Sequence, residues 1–589
     1  MKVIEPHHDG SPLYVSNSAP TIGQEVTLRV RIPNSYPAEL VYLRIYQDGE
    51  ARTLPMALAS ESEHESWWSI TIEVINPEHL YRFAIVNGRS YTWLTAAGIR
   101  SFEPNSATDF VLMAKPAYGS WIARSVFYQI FPDRFATSGT PRALPSWAVK
   151  RDWDQLPEGE GPNTSREYYG GDFAGIESQL EYINDLGVTG LYFTPIFPAG
   201  SSHRYDATTF DQVDPLLGGD KEFLHFLKSA RRSGIKVMTD LTTNHVGAGH
   251  EWFVTAKKDK RSKERKYFYW DKKISFGYVG WWGLASLPKL NFSSAPLRKA
   301  LYGSKKSALQ RWLRAPYKLD GWRIDVGNMS GRYRDHDVHD EVVQEIRAAF
   351  DSVDPNGWLV AENADMIPKD LDGTSWHGTM NYLGFAKPLW GWINQNPNVR
   401  PGGQGFATGM PKLSTPEFVN SLREYNGGIP WRSLMASMNL LGSHDTARMR
   451  NVVGGDRELH IAAMALLMTY PGVPTIFAGD EIGLEGAWGE DARRTMPWSH
   501  TESWDTEFLN ATQRLIAIRK ESEALMIGGL RFLEIADEYF VFARELADSA
   551  FVVLVSRTPL HATNSPTEYG FSEGEVLFAS ACVRIWSCR

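Results

Sequence analysis

The chain has 589 residues, 61 basic and 69 acidic side chains, a formal net charge of -8 and 12% aromatic residues. That length exceeds one ordinary core and admits two to four domains, one of them a barrel of about 250 residues. The charges are well mixed, which excludes a basic stripe for nucleic acid and a polybasic anchor, so a small neutral partner is expected.

Residues Met1 to Pro20 carry no apolar stretch behind a basic end, so neither a secretory signal nor a membrane span is expected. Short runs that alternate apolar and polar follow: Val26 to Ile32, Val41 to Tyr46, Trp67 to Val74 and Tyr81 to Val86. This is β-sandwich patterning. From Val126 to Ile130 the pattern changes to short, continuously apolar strands separated by long amphipathic segments: Gly190 to Phe193, Val237 to Leu241, Trp322 to Ile324, Leu359 to Ala361, Asn439 to Leu441 and Thr475 to Phe477. Strands buried on both faces of a parallel sheet have this composition. Asp240 and Asp325 lie 85 residues apart, whereas Asp325 and Glu362 lie 37 apart. A strand-plus-helix unit needs about 30 residues, so the surplus reads as a small subdomain over the barrel mouth. After Gly528 and Gly529 the pattern returns to β alternation through Trp586, and Cys582 and Cys588 are the only cysteines, which fits a reducing cytoplasm.

The expected architecture is α/β: a (β/α)8 TIM barrel with an inserted subdomain after its third strand, an N-terminal β-sandwich and a C-terminal antiparallel β domain. The expected boundaries are 1–118 for the sandwich, 119–246 and 295–525 for the two parts of the barrel, 247–294 for the inserted subdomain and 526–589 for the C-terminal domain.

In a parallel barrel, a polar residue directly after a buried strand stands at the face where catalysis takes place. Four strand ends satisfy this: Asp240 with Asn244 and His245, Arg323 with Asp325, Glu362, and His444 with Asp445. Arg323 and Asp325 lie two residues apart on one face, so the guanidinium is expected to favour the ionised form of Asp325, as a nucleophile requires. Glu362 is flanked by apolar residues, which would disfavour its ionised form and suit a general acid. Asp445 supplies a third carboxylate able to bond sugar hydroxyls as the ring flattens. Any one of these is more often a helix cap or an ion pair. Their joint occurrence in order on barrel strands points to a carboxylate-based glycoside hydrolase.

These segments resemble the ordered motifs of glycoside hydrolase family 13, the α-amylase family: Asp240 to His245, Gly321 to Asp325, Glu362, and His444 with Asp445. The resemblance extends to Phe127 through Phe135, to His203-Arg204-Tyr205-Asp206, to Pro471 through Pro474 and to Gly479-Asp480-Glu481. It implies a retaining double displacement in which Asp325 attacks the anomeric carbon, Glu362 protonates the leaving oxygen and then activates water, and Asp445 stabilises the distorted sugar. It further implies that Tyr205 stacks on the ring at the cleavage point, while Asp206, Asn244, His245, Arg323 and His444 contact the sugar or support the carboxylates. Arg448, just beyond Asp445, joins the substrate-binding candidates. Retention implies carboxyls of Asp325 and Glu362 about 5 to 5.5 Å apart.

Leu287-Pro288-Lys289-Leu290-Asn291 is similar to a motif of the neopullulanase, cyclomaltodextrinase and maltogenic amylase subgroup, whose N-terminal domain in many members builds a dimer. The resemblance therefore implies an α-glucan oligosaccharide substrate, maltose as main product and a homodimer through the N-terminal domain. The segment Val326-Gly327-Asn328-Met329 departs from the subgroup, because Met329 removes a charge from the acceptor side. Phe276, Tyr278, Trp281 and Trp282 are aromatics of the mouth subdomain, with Trp281 and Trp282 the candidates to stack on sugar. Residues 135–139 lack an Asn/Asp cluster and leave Asp172 without co-ligands, so no metal or other cofactor is expected and calcium is not supported. The alternatives are an exo-acting α-glucosidase, a transglycosylase and a non-catalytic sugar-binding relative.

Overall fold

The computed structural model describes residues 5–115, 117–363, 367–399, 410–561 and 564–588. Eight short parallel strands form its centre: Phe127–Ile130, Gly190–Phe193, Lys236–Thr242, Gly321–Asp325, Trp358–Ala361, Gly378–Thr379, Met438–Leu440 and Val473–Phe477. Each pairs with its sequence neighbour, the first with the eighth, and a parallel bridge between Met380 and Met438 joins the sixth to the seventh. The ring so formed is the expected barrel. Apart from Lys236 at the start of the third, its strands are buried along their length because helices cover them outside and side chains such as Trp322 and Trp358 fill the space between.

The sixth strand escaped the sequence reading. It is two residues long and begins at Gly378, where a Cβ would lie 2.1 Å from the carbonyl oxygen of Ala436. Close packing there demands glycine, and glycine erases the β-branched signal by which a strand is read.

The N-terminal region folds as a three-stranded antiparallel sheet (Glu25–Pro33, Glu65–Glu73, Ala57–Glu61) over a six-stranded one. Val26, Leu28, Val30 and Ile32 alternate inward to meet Val41, Leu43, Ile45, Phe83 and Ile85, as expected of half-buried strands with a period of two. A five-stranded antiparallel sheet from Gly529 to Cys588 closes the other end. The two β regions meet through Glu545, which accepts hydrogen bonds from Arg31 at 2.8 and 3.2 Å and from Arg531 at 2.9 Å on both oxygens. Burial would raise the Glu545 carboxyl, but the two guanidiniums outweigh it and hold it far below the usual range.

Two excursions shape the barrel mouth. One follows the third strand and carries the helix Glu251–Lys258; its Phe253, Phe268 and Tyr278 are buried against one another. Isolated bridges of Lys289 to His245 and Leu290 to Phe268 bring the end of this excursion back onto its start. The other, residues 137–166 after the first strand, was not anticipated. Trp153 donates to the Met496 carbonyl at 2.8 Å and Trp488 to the Gly159 carbonyl at 3.2 Å, which ties this excursion to the loop after the eighth strand. Among the described residues no helix is long and apolar enough to cross a membrane.

Candidate active site

Register places Asp240 of the third strand beside Arg323 of the fourth, and Thr242 beside Asp325. From this fully buried position Arg323 reaches three carboxylates. Its Nη1 donates to Asp240 Oδ2 at 2.8 Å and to Asp325 Oδ1 at 2.9 Å, and its Nη2 pairs with Glu362 Oε2 at 2.9 Å. Tyr192 and Tyr205 donate to the same Asp240 oxygen at 2.7 and 2.9 Å. Asp240 is thus a buried anchor that holds the guanidinium and Tyr205 in place.

One positive charge serves three carboxylates, and this changes the expectation for Asp325. Burial pushes its carboxyl well above the usual range; Glu362 and Asp240 add to the rise, and Arg323 opposes it without cancelling it. The two-residue spacing revealed the arginine but not the two further claims upon it. Glu362 also differs from expectation, because its neighbours are polar. Besides its ion pair with Arg323 it accepts a hydrogen bond from the Val326 backbone N–H at 3.0 Å. Val326 adopts a left-handed conformation, φ 46°, rare for a β-branched residue and of the kind retained at functional sites. At Gly327 a Cβ would lie 2.8 Å from that of Ala361, so the turn after Asp325 tolerates no side chain there.

On the opposite rim His444 Nε2 lies 3.0 Å from Asp445 Oδ2 and 2.7 Å from the Tyr205 hydroxyl. Gln129 holds its Nδ1 at 2.7 Å, and the Tyr205 ring stacks on it at 5.5 Å and 9°. Arg493 donates to Asp445 Oδ1 at 2.9 Å and to the His444 carbonyl at 2.7 Å. Burial would raise Asp445, but His444, Arg493 and Arg323 prevail and hold it well below the usual range. Adjacent carboxyls are therefore driven in opposite directions, the arrangement that assigns different roles to chemically similar groups.

The third wall comes from the first excursion. His245 Nε2 faces Asp325 Oδ2 at 4.0 Å, and its ring stacks on Trp281 at 4.8 Å and 7°. Trp282 stacks on Trp281 at 4.9 Å and is 61% exposed, a free aromatic face at the mouth. Trp281 also donates to the Met329 sulfur at 3.2 Å.

The family model for the alpha-amylase catalytic domain matches residues 129–510. The chain belongs to the alpha-amylase family. A cyclomaltodextrinase from Geobacillus thermopakistaniensis (strain MAS1) is 28% identical over 534 residues, covering 87% of this chain and 84% of that protein. Among solved structures, the ligand-free cyclic alpha-maltosyl-(1→6)-maltose hydrolase from Arthrobacter globiformis is 27% identical, with a TM-score of 0.69 over 80% of this chain and all of that one. A cyclomaltodextrinase structure matches 99% of both chains with a TM-score of 0.73 at 23% identity, a likeness of fold that includes both flanking β regions.

For this alpha-amylase family glycoside hydrolase the structure gathers Asp325, Glu362, Asp445, Arg323, His444, Tyr205, His245, Asn244, Trp281 and Trp282 around one mouth. Two other candidates lie outside the cluster. Arg448 spends its nitrogens on Asp480 at 2.8 Å and on the Ala478 and Ala492 carbonyls at 3.0 Å each, in the loop that follows the eighth strand. Asp206 accepts from the Ser201 hydroxyl and the Gly200 N–H and braces its own loop; burial raises its carboxyl to about 6. Asp172 caps the helix Phe173–Ser178 and is held by Ser138 and Arg142. Sequence reasoning missed Tyr192, Gln129 and Arg493. The first two lie within strands that read as apolar, and Arg493 stands on a loop far along the chain from Asp445, with no periodicity to mark it.

Proposed function

We propose that this glycoside hydrolase cleaves α-1,4 bonds, and α-1,6 bonds as well, in cyclic or short α-glucan oligosaccharides such as cyclodextrins or cyclic maltosyl-maltose, releasing mainly maltose with retention of configuration. The observation that carries the reading is Arg323 shared between Asp325 and Glu362 while Asp445 is held apart from them by His444 and Arg493.

Asp325 Oδ2, which has no hydrogen-bond partner among the described residues, attacks the anomeric carbon. Glu362 gives a proton to the departing glycosidic oxygen and later removes one from the attacking water. Arg323 donates to Asp325 Oδ1 and supports the ionised form that attack requires. Asp445, kept ionised, bonds the sugar hydroxyls, and these bonds tighten as positive charge develops on the ring. Trp281 and Trp282 offer the acceptor sugar flat faces, with Met329 beside them in place of a charge. Importable oligosaccharides of this size agree with a cytoplasmic setting, and dimerisation through the N-terminal domain completes the proposal.

The test is a chromatographic time course on a cyclodextrin, cyclic maltosyl-maltose, pullulan and maltotriose, with Asp325→Asn as the blank. Rings opened fastest to maltose by the wild type, with retained anomeric configuration by NMR, are expected. Maltotriose cut fastest to glucose would replace the reading with an exo-acting α-glucosidase, and transfer products outnumbering new reducing ends would make the chain a transglycosylase.

A further inference from the structure

We propose that Lys289 is a positioning residue that fixes the tautomer of His245 through the side-chain amide of Asn244, so that a single N–H is presented beside the attacking oxygen of Asp325. The inference rests on the α-glucan hydrolase reading above and assigns to Lys289 a task within that site.

Lys289 is 4% exposed, and among the described residues no carboxylate offsets its burial. Its ammonium bonds Asn244 Oδ1 and, at 3.3 Å, the Met329 carbonyl oxygen. A buried cation without a counter-ion costs stability, so its retention calls for a reason. An ammonium can only donate. It therefore decides which end of the Asn244 amide faces it, and the Nδ2 end is left facing His245 Nδ1 at 3.2 Å. An amide N–H can only donate there, so Nδ1 is the bare nitrogen of the imidazole and the ring proton resides on Nε2.

The ring is kept neutral by the same surroundings. Burial lowers His245 to about 3 and the Lys289 charge adds to the effect, outweighing an opposing hydrogen bond between the ring and the Tyr205 backbone. Stacking on Trp281 fixes the ring plane. Nε2 then points toward Asp325 Oδ2, and neither atom has a hydrogen-bond partner among the described residues. The slot between them offers a sugar hydroxyl one donor and one acceptor. With the opposite tautomer two acceptors would face each other across it, and a hydroxyl has only one proton to give. Lys289 thus governs the polarity of the slot without touching the sugar.

Two variants separate this from simple packing. Asn244→Asp is isosteric and keeps an acceptor for Lys289, but it demands a proton from His245 Nδ1 and so leaves Nε2 bare. Lys289→Met releases the amide to turn over. With 15N-histidine labelling, and His245 assigned by its loss in His245→Ala, the wild type is expected to show the Nε2–H form, Asn244→Asp the Nδ1–H form and Lys289→Met a mixture. Each variant is expected to lose about tenfold in kcat/KM on the preferred ring substrate. In the His245→Ala background the same substitutions are expected to cost less than about twofold, because both act through that ring. An Nδ1–H form in the wild type, an unchanged tautomer in Asn244→Asp, or an equal Lys289→Met loss without His245 overturns the proposal. A wild type that turns over no α-glucan would defeat the functional reading alone, since the tautomer is read without substrate.

Discussion

Replacing Arg493 with methionine removes two hydrogen bonds from the Asp445 rim while keeping a side chain of similar reach. Arg493 bonds Asp445 Oδ1 at 2.9 Å and the His444 carbonyl at 2.7 Å. A hydrogen bond to a charged partner contributes about 1.5 to 3 kcal/mol. Because the Asp445 side chain is 41% exposed, water recovers part of the loss, and the low end of that range applies. About 1.4 kcal/mol is tenfold in rate, so kcat/KM should fall about tenfold at neutral pH. The pH profile carries the sharper signature. Burial alone would raise Asp445, and His444, Arg493 and Arg323 hold it down. Taking one of the three away lets protonation of Asp445 begin at a higher pH and adds a second titrating group to an acid limb otherwise set by the raised Asp325, so the limb of kcat/KM should steepen and its midpoint move upward. Arg494→Met, which breaks a pair with Asp491 instead, is the control and should leave the limb in place. Initial rates on a nitrophenyl α-maltoside across the acid range, with a melting curve for each variant, measure both effects. An unchanged rate with an unmoved limb would refute the claim that Arg493 tunes Asp445.

Asp325→Asn should abolish hydrolysis by about a thousandfold or more while raising the melting temperature at neutral pH. A carboxyl whose folded value is raised contributes stability at acid pH that is lost as pH rises through that value, and the amide escapes this loss; equal melting temperatures would contradict it. For Lys289 the sign is opposite. Burial lowers it from 10.5 to about 8, so the unfolded chain holds the proton between those values and wild-type stability should rise with pH across that window. The gap corresponds to roughly 3 kcal/mol at most, and Lys289→Met should lack the slope in pH-dependent urea denaturation. Arg448→Met would strand the buried Asp480 carboxylate and should cost about 3 to 5 kcal/mol of stability, seen as a fall in melting temperature with the KM of surviving enzyme unchanged.

Seven of the eight barrel strands and all three catalytic carboxylate candidates could be read from sequence for one physical reason: a strand covered on both faces is an unbroken apolar run, and a polar residue at its end has few other uses. Gly378–Thr379 lacked the run. Asp325 illustrates a different limit. Its arginine was visible two residues away, but the charge balance depends on Asp240 and Glu362, which only the closing of three strands brings to the same guanidinium. Arg448 was placed among the binding candidates by proximity along the chain, and its guanidinium is taken up by Ala478, Asp480 and Ala492 in the loop after the eighth strand, partners that local pattern does not mark. Arg493 and Gln129 act across loops or from within a strand, where local pattern carries no trace of the partner.

The bond between Arg31 and Glu545 links positions near the two ends of the chain, and Arg531 completes the triplet. The sandwich is therefore not a detachable passenger in this chain. A chain that shed its first hundred residues would leave Glu545 with one guanidinium and an exposed acidic surface, and one that acquired a foreign sandwich would bury a carboxylate facing no arginine. The fit of the leading domain is therefore constrained by a residue more than five hundred positions away, and in this chain the sandwich and the closing sheet are matched in charge where they meet.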